Sequence, residues 1–297
     1  MFTAEFETFA AVSSQSSRRS SVTSLSDKDY QDADELALKE CIEIIDANVE
    51  EKKWWRDGYY KIIDENRLPL ILVEDVSYEE FEKKCERVNA SKFWEYRDGT
   101  VVIIELPNRD HESAHGEFTE QFLSAFANLP RRDKVKCVGS TTCSATPERR
   151  VRGNSKQSDA SFVPKLLPNP AQNPCDTEGN PWPTIIVEVA NTQSLASIIQ
   201  KTIQFWLAPN RVEDVIVLKL WKWNSIWDQN GTPLRRLTIE LRTIDKRSQP
   251  YNGCSAPGTC TLNISPRCIY RGCPRQPITN NVVIDLYNIQ QEIFDNM

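Results

Sequence analysis

Thr184-Ile185-Ile186-Val187-Glu188-Val189-Ala190 is a run of apolar, mostly β-branched residues broken by one carboxylate. Such a run without polar alternation predicts a strand covered on both faces, as in parallel pairing. From about Ser194 to Leu207 the period becomes helical, with Leu195, Ile199, Thr202 and Trp206 on one stripe. Asp214 to Trp221 repeats the buried-strand pattern. Strand, helix and strand at this spacing predict a βαβ unit, a parallel pair with a right-handed crossover.

Glu188 is the most informative residue of this unit. An unpaired carboxylate inside a buried strand is costly, so it requires a cation, a hydrogen-bond network or a metal. Upstream, Asp159-Ala160-Ser161-Phe162-Val163 reads as another strand, in which Asp159 and Ser161 share one face. If the two strands pair, Asp159 and Glu188 converge. Two carboxylates with water suit Mg²⁺ (or Mn²⁺), which polarises a phosphate and acidifies an attacking water. Lys201 lies on the helix beside the apolar stripe. Its ammonium can reach over the strand ends to stabilise developing charge, or it can simply snorkel at the surface.

Before these strands, Val76 to about Val88 reads as a helix with Ser77 as N-cap and Glu80 three residues on. Phe93 to Glu105 reads as strand, turn and strand around Asp98-Gly99. A helix from about His115 to Leu129 carries Phe118, Phe122 and Phe126 at helical spacing. His115, three residues before Phe118, shares that inner face, where it orients a substrate or a carboxylate or serves as a structural histidine. Short strands are expected at Val135–Cys137 and Arg150–Arg152, and further strands at Leu237–Thr243 and Val282–Leu286. Residues 164–183 hold six prolines and read as a long loop.

Charge is unevenly distributed. The chain of 297 residues has a net charge of −6, yet residues 131–156 carry eight basic residues against two acidic ones. Arg149, Arg150, Arg152 and Lys156 fall in this segment, just before Asp159. That arrangement suits either a phosphate backbone or a solvated basic hairpin. Charged residues at 26% and a mean hydropathy of −0.51 describe a soluble globular composition with no membrane span. The first seventeen residues lack an apolar run, so no secretory signal is expected. Nine scattered cysteines, an odd number, predict reduced thiols and an intracellular setting, cytoplasmic or nuclear. Ten glycines in total offer no Gly-rich phosphate cradle.

The series Glu95-Tyr96-Arg97-Asp98-Gly99, His115, Asp159, Val187-Glu188-Val189 and Lys201 with Phe205 four residues on resembles the Uma-type restriction endonuclease family. That family is a branch of the PD-(D/E)XK nuclease superfamily, and the likeness spans roughly residues 75–222. It implies an α/β, restriction-endonuclease-like core in the αβββαβ arrangement, a central mixed sheet flanked by helices. It also implies metal-dependent hydrolysis of phosphodiester bonds, with DNA as the expected nucleic-acid partner and a homodimer as one arrangement open to the chain. Carried over, Asp159 and Glu188 are metal ligands, Lys201 replaces the motif lysine, and Glu95 and His115 are accessory catalytic residues. Ser158 stands where proline usually precedes the aspartate, and Ala190 where the superfamily places its lysine. The alternative is a nuclease-like module that binds nucleic acid or protein without cutting. A third reading is an interaction protein in which the Ser-rich tail, acidic helices and Cys loop recruit partners.

The expected organisation has four parts: a disordered Ser-rich tail over 1–28, a helical extension over 29–74, the endonuclease-like core over 75–246, and a separate ending over 247–297. In the last part Cys254, Cys260, Cys268 and Cys273 lack a close zinc-knuckle spacing, so a thiol-bearing loop is favoured over a zinc site.

Overall fold

Two large sheets and a two-stranded one organise the described residues in a computed structural model. Residues 45–58, 63, 65–85, 94–106, 108–144, 154–176, 178–243 and 253–297 are described, all within the unit Ile42–Met297. The expected tail, the helix before residue 45, the strand at 150–152, and Arg149, Arg150 and Arg152 lie outside them.

The first sheet contains β1 (Ile45–Asp46), β2 (Leu70–Val73), β3 (Trp94–Arg97), β4 (Thr100–Ile103), β6 (Thr142–Ser144) and β7 (Asn154–Gln157). Its order is β1-β2-β4-β3-β7-β6. The hairpin β3–β4 turns at Asp98 and Gly99, with φ of 45° and 100°. Both values lie in the left-handed region, as a tight primed turn requires. Helices α1 (Val49–Asp57) and α2 (Tyr78–Cys85) accompany this sheet. Trp54, Trp55, Tyr78 and Phe81 share one apolar cluster with Leu70, Trp94, Tyr96 and Ile103. A capping box between Asn48 and Glu51 starts α1, and the Ser77 hydroxyl accepts from the Glu80 amide at 3.2 Å at the start of α2.

This sheet corrects the reading of 29–74 as a helical extension. Its described part contains two strands besides α1, and β2 pairs with β4 across the expected boundary at residue 74. Leu70-Ile71-Leu72-Val73 is too short and too uniformly apolar to make an amphipathic helix.

The second sheet is central and mixed. It contains β5 (Val135–Cys137), β8 (Ala160–Pro164), β9 (Ile185–Ala190), β10 (Asp214–Leu220) and β11 (Leu237–Thr243), in the order β11-β10-β9-β8-β5. β9 and β10 are parallel, and the other pairs are antiparallel. The protein is thus a mixed α/β fold, with helices packed on both faces of this sheet. Alternation along β9 divides its residues. Ile185, Val187 and Val189 join the cluster of Phe118 and Phe122 on α3 (Arg109–Ser124) and Phe126 just after it. Ile186 and Ala190 join the cluster of Ile198 and Trp206 on α4 (Leu195–Lys201), which continues as a wider π-turn over Thr202–Trp206. The expected βαβ unit is therefore present. The Asp98–Gly99 hairpin is also present, but it pairs within the first sheet.

The ending over 253–297 is not separate. Strands β12 (Thr261–Ile264) and β13 (Val282–Asp285) pair with each other. With α5 (Pro266–Ile269) and α6 (Leu286–Phe294), they complete the core that α3 begins. Thr184 Oγ1 donates to the Ile269 carbonyl at 2.8 Å, and the Tyr270 hydroxyl to that of Asp133 at 2.7 Å. The expected strand over Val282–Leu286 is present as β13, but which face this ending covers depends on long-range packing. No helix among the described residues is long and apolar enough to cross a membrane.

Candidate active site

Register brings the two carboxylates together. Ala160 pairs with Val187 in the antiparallel β8–β9 ladder, so the next position sets Asp159 opposite Glu188. The Asp159 amide donates to the Val187 carbonyl at 3.2 Å, and Asp159 Oδ2 accepts from the Val189 amide at 2.6 Å. A one-residue slip would send the two side chains to opposite faces.

Glu188 lies on the α4 side of β9 and is 2% exposed. Its Oε2 accepts from Lys201 Nζ at 2.9 Å and its Oε1 from Trp206 Nε1 at 2.5 Å. α4 positions both donors. Ser194 caps the helix start, accepting from the Ser197 amide at 3.1 Å, and the π-turn at its end holds Trp206 inward. Lys201 Nζ also reaches Glu95 Oε1 at 3.0 Å and the Gln157 carbonyl at 3.2 Å. The expected surface alternative for Lys201 is therefore not what the structure contains, since its side chain is 7% exposed.

Glu95 arrives from β3, whose alternation sends Trp94 and Tyr96 into the neighbouring core and Glu95 toward Lys201. Its Oε2 accepts from Lys156 Nζ at 2.7 Å and Arg97 Nη2 at 2.9 Å. Lys156 was expected to face a phosphate backbone. Its ammonium is instead buried against Glu95, because β7 pairs beside β3 and turns that side chain inward.

His111 supplies the contact to Asp159, its Nε2 donating to Oδ1 at 3.2 Å. His115 lines the same cavity but meets Glu112 Oε2, at 3.2 Å. Glu105, just after β4, accepts at Oε1 from the Asn191 amide and, at 2.8 Å, from the Thr192 amide. Its Oε2 is buried without a hydrogen-bond partner. The sequence places His111 beside His115 at the helix start, but the reading gives a role to His115 and none to His111 or Glu105. The signal for His111 was its spacing of four from His115, and for Glu105 its position after the apolar Val101–Ile104 run.

The cavity enclosed by these groups measures about 250 Å³ and is lined by Glu95, Glu105, His111, Asp159, Glu188 and Lys201 among others. Burial pushes the Glu188 carboxyl up; Lys201 opposes this and Asp159 adds repulsion, leaving it at about 7. Burial works against the Lys201 ammonium, but Glu188, Glu95 and Asp159 outweigh it and its pKa is raised. Asp159 is held low despite burial, chiefly by His111. The converse holds for His111, which burial lowers but Asp159 lifts to about 10. Burial also raises Glu105, whereas Glu95 stays well below its usual range because Lys156, Lys201 and Arg97 together overcome burial. The cavity therefore holds carboxylates of opposed proton affinity beside a buried ammonium, the kind of contrast found at catalytic sites.

Among known structures, a crystal structure at 1.96 Å of a putative nuclease belonging to DUF820, from Anabaena variabilis ATCC 29413, is similar to this chain. The identity is 14% and the TM-score 0.40, over 62% of this chain and 89% of that one. No curated protein matches. Residues 78–224, which span α2 to β10 and hold every residue of the cavity named above, match the family model Uma2, putative restriction endonuclease. Over these residues the chain is similar to the Uma2 family of putative restriction endonucleases.

Proposed function

We propose that this chain is a nuclease that hydrolyses phosphodiester bonds of DNA with a divalent cation, Mg²⁺ or Mn²⁺. The observation that carries the reading is the facing pair Asp159 and Glu188 at the rim of one cavity, with the Lys201 ammonium on Glu188. The donor set fits such an ion. Asp159 and Glu188 offer the hard oxygens that Mg²⁺ prefers, and the buried, unpartnered Glu105 Oε2 on the same wall is an acceptor that a hydrated cation would satisfy.

Asp159 and Glu188 would hold the ion. When bound, it lowers the pKa of a coordinated water and polarises the phosphate. The Val189 amide fixes the Asp159 carboxylate, and Trp206 and Lys201 fix that of Glu188, so both ligands are oriented before substrate arrives. Lys201 stabilises the negative charge that develops on the phosphorane, and Glu95 and the Gln157 carbonyl hold it there. Arg149, Arg150 and Arg152 supply phosphate-backbone contacts, in which the buried Lys156 takes no part.

One observation favours the rival, a nuclease-like binding module that does not cut. Both Glu188 oxygens already accept hydrogen bonds, so the cluster can support the fold without an ion. Incubating supercoiled plasmid with the protein, in Mg²⁺ and then with a chelator, separates the two. Nicking that stops with chelator and resumes with excess Mg²⁺ supports the nuclease. Binding without nicking, at any Mg²⁺ or Mn²⁺ concentration, supports the module.

A further inference from the structure

We propose a second cation site at the start of α3, formed by His111, Glu112 and His115 and suited to a transition metal such as Zn²⁺ rather than Mg²⁺. The chain has two histidines in all, and both are here. Four residues apart on one helix, they lie on the same side, with Glu112 between them. One ligand atom from each of the three residues lies within 4.8 Å of the others. Glu112 Oε1 is 3.6 Å from His111 Nδ1 and Glu112 Oε2 is 3.2 Å from His115 Nε2. A tetrahedral ion with bonds of ~2.0–2.1 Å separates its donors by about 3.3 Å. The donors are therefore already near coordinating distance, with a carboxylate free to pivot between them.

His111 points most directly to a ligand. Its side chain is 5% exposed, its Nε2 is engaged by Asp159, and its Nδ1 is buried without a hydrogen-bond partner. A carboxylate that holds one ring nitrogen leaves the other to meet a metal, the usual arrangement of metal-bound histidines. The ion would take the position of the proton that Nδ1 carries in the charged imidazole. Imidazole nitrogens suit Zn²⁺, Co²⁺ and their neighbours and disfavour Mg²⁺, so this site and the carboxylate pair differ in metal class. His115 is part-exposed and Glu112 exposed on the cavity wall, so the remaining coordination positions face water. Asp159 then orients His111 on one side while facing Glu188 on the other.

The test is a Co²⁺ titration of the full chain in a large excess of Mg²⁺, followed by the visible absorption of imidazole-ligated Co²⁺. It reads binding and not cleavage, so its outcome is independent of the nuclease reading. One equivalent of Co²⁺ should bind. His115→Gln at a part-exposed position and Glu112→Gln at an exposed one should each weaken binding roughly tenfold or more. Glu188→Gln, which removes a ligand of the carboxylate pair, should leave the spectrum of imidazole-ligated Co²⁺ in place, as expected of a site that does not use Glu188. Proton NMR of the wild-type Co²⁺ form should show hyperfine-shifted signals from both imidazoles, a readout that no folding defect in a variant can mimic. Absence of Co²⁺ binding under Mg²⁺ excess, binding indifferent to His115→Gln, or wild-type spectra without shifted imidazole signals would each overturn the proposal.

Discussion

Lys201 Nζ lies 2.9 Å from Glu188 Oε2, and both side chains are almost wholly removed from water. The ammonium is shared with Glu95 at 3.0 Å, so one cation holds together carboxylates from two different sheets. Removing it leaves two buried acids facing each other. Lys201→Met should therefore cost roughly 3–5 kcal/mol of stability. Urea unfolding at neutral pH measures this, and the loss should shrink at lower pH, where Glu188 takes up a proton.

Glu188 has a folded pKa of about 7 against an ordinary value of 4.5. Between those values the folded state binds more protons than the unfolded one, so this group makes the metal-free protein less stable as pH rises from about 4.5 to about 7. Metal binding runs the other way. A cation needs the carboxylate, so Mn²⁺ affinity should rise with pH up to about 7 and then level off, with release of a proton per ion below that point. Calorimetry in buffers of different ionisation heat counts that proton.

Asp159 raises the pKa of His111 to about 10. In Asp159→Asn the coulombic support is lost while burial still disfavours the cation, so the pKa should fall by several units. With two histidines in the chain, NMR titration of the ring protons resolves this directly. A His111 pKa unchanged by the substitution would mean that the 3.2 Å contact is absent in solution.

Phe122 is fully buried on α3, 4.6 Å from Phe162 between ring centroids, in the cluster that Ile284, Ile289 and Ile293 also enter. Truncation before residue 253 should therefore expose this face and yield an aggregating product rather than a stable core. Phe122→Ala, which only opens a cavity, should cost about 3–5 kcal/mol by urea unfolding and keep the chain folded.

Arg149, Arg150 and Arg152 belong to the basic segment that precedes β7. Changing all three to alanine should weaken DNA binding and flatten its dependence on salt, because each lost phosphate contact releases fewer counterions. Fluorescence anisotropy across a salt series reads both effects.

The legible parts of the fold were those governed by local pattern. The β9–α4–β10 unit and the Asp98–Gly99 turn followed from apolar period and turn chemistry. Glu188 stood out because a carboxylate within Ile185–Ala190 demands a partner, and Lys201 followed it on the next helix. The remainder depended on contacts distant in sequence. Glu95 and Lys156 are sixty-one positions apart and meet only because β7 pairs with β3, which no local pattern shows. Glu105 serves backbone amides of the turn after β9, and such acceptors leave no trace in side-chain spacing. For α3 the sequence pattern starts the helix at about His115, but Asn108 caps the helix earlier, accepting from the His111 amide at 3.0 Å. That earlier start is what brings His111 to Asp159.

The most direct test of the nuclease reading is cleavage of supercoiled plasmid by wild type, Asp159→Asn and Glu188→Gln, side by side in excess Mg²⁺, with folding checked by circular dichroism. Asp159 and Glu188 hold one cation in this account, so wild type should nick the plasmid and each variant should fall by about two orders of magnitude or more while remaining folded. Cleavage by folded Glu188→Gln at the wild-type rate would contradict it.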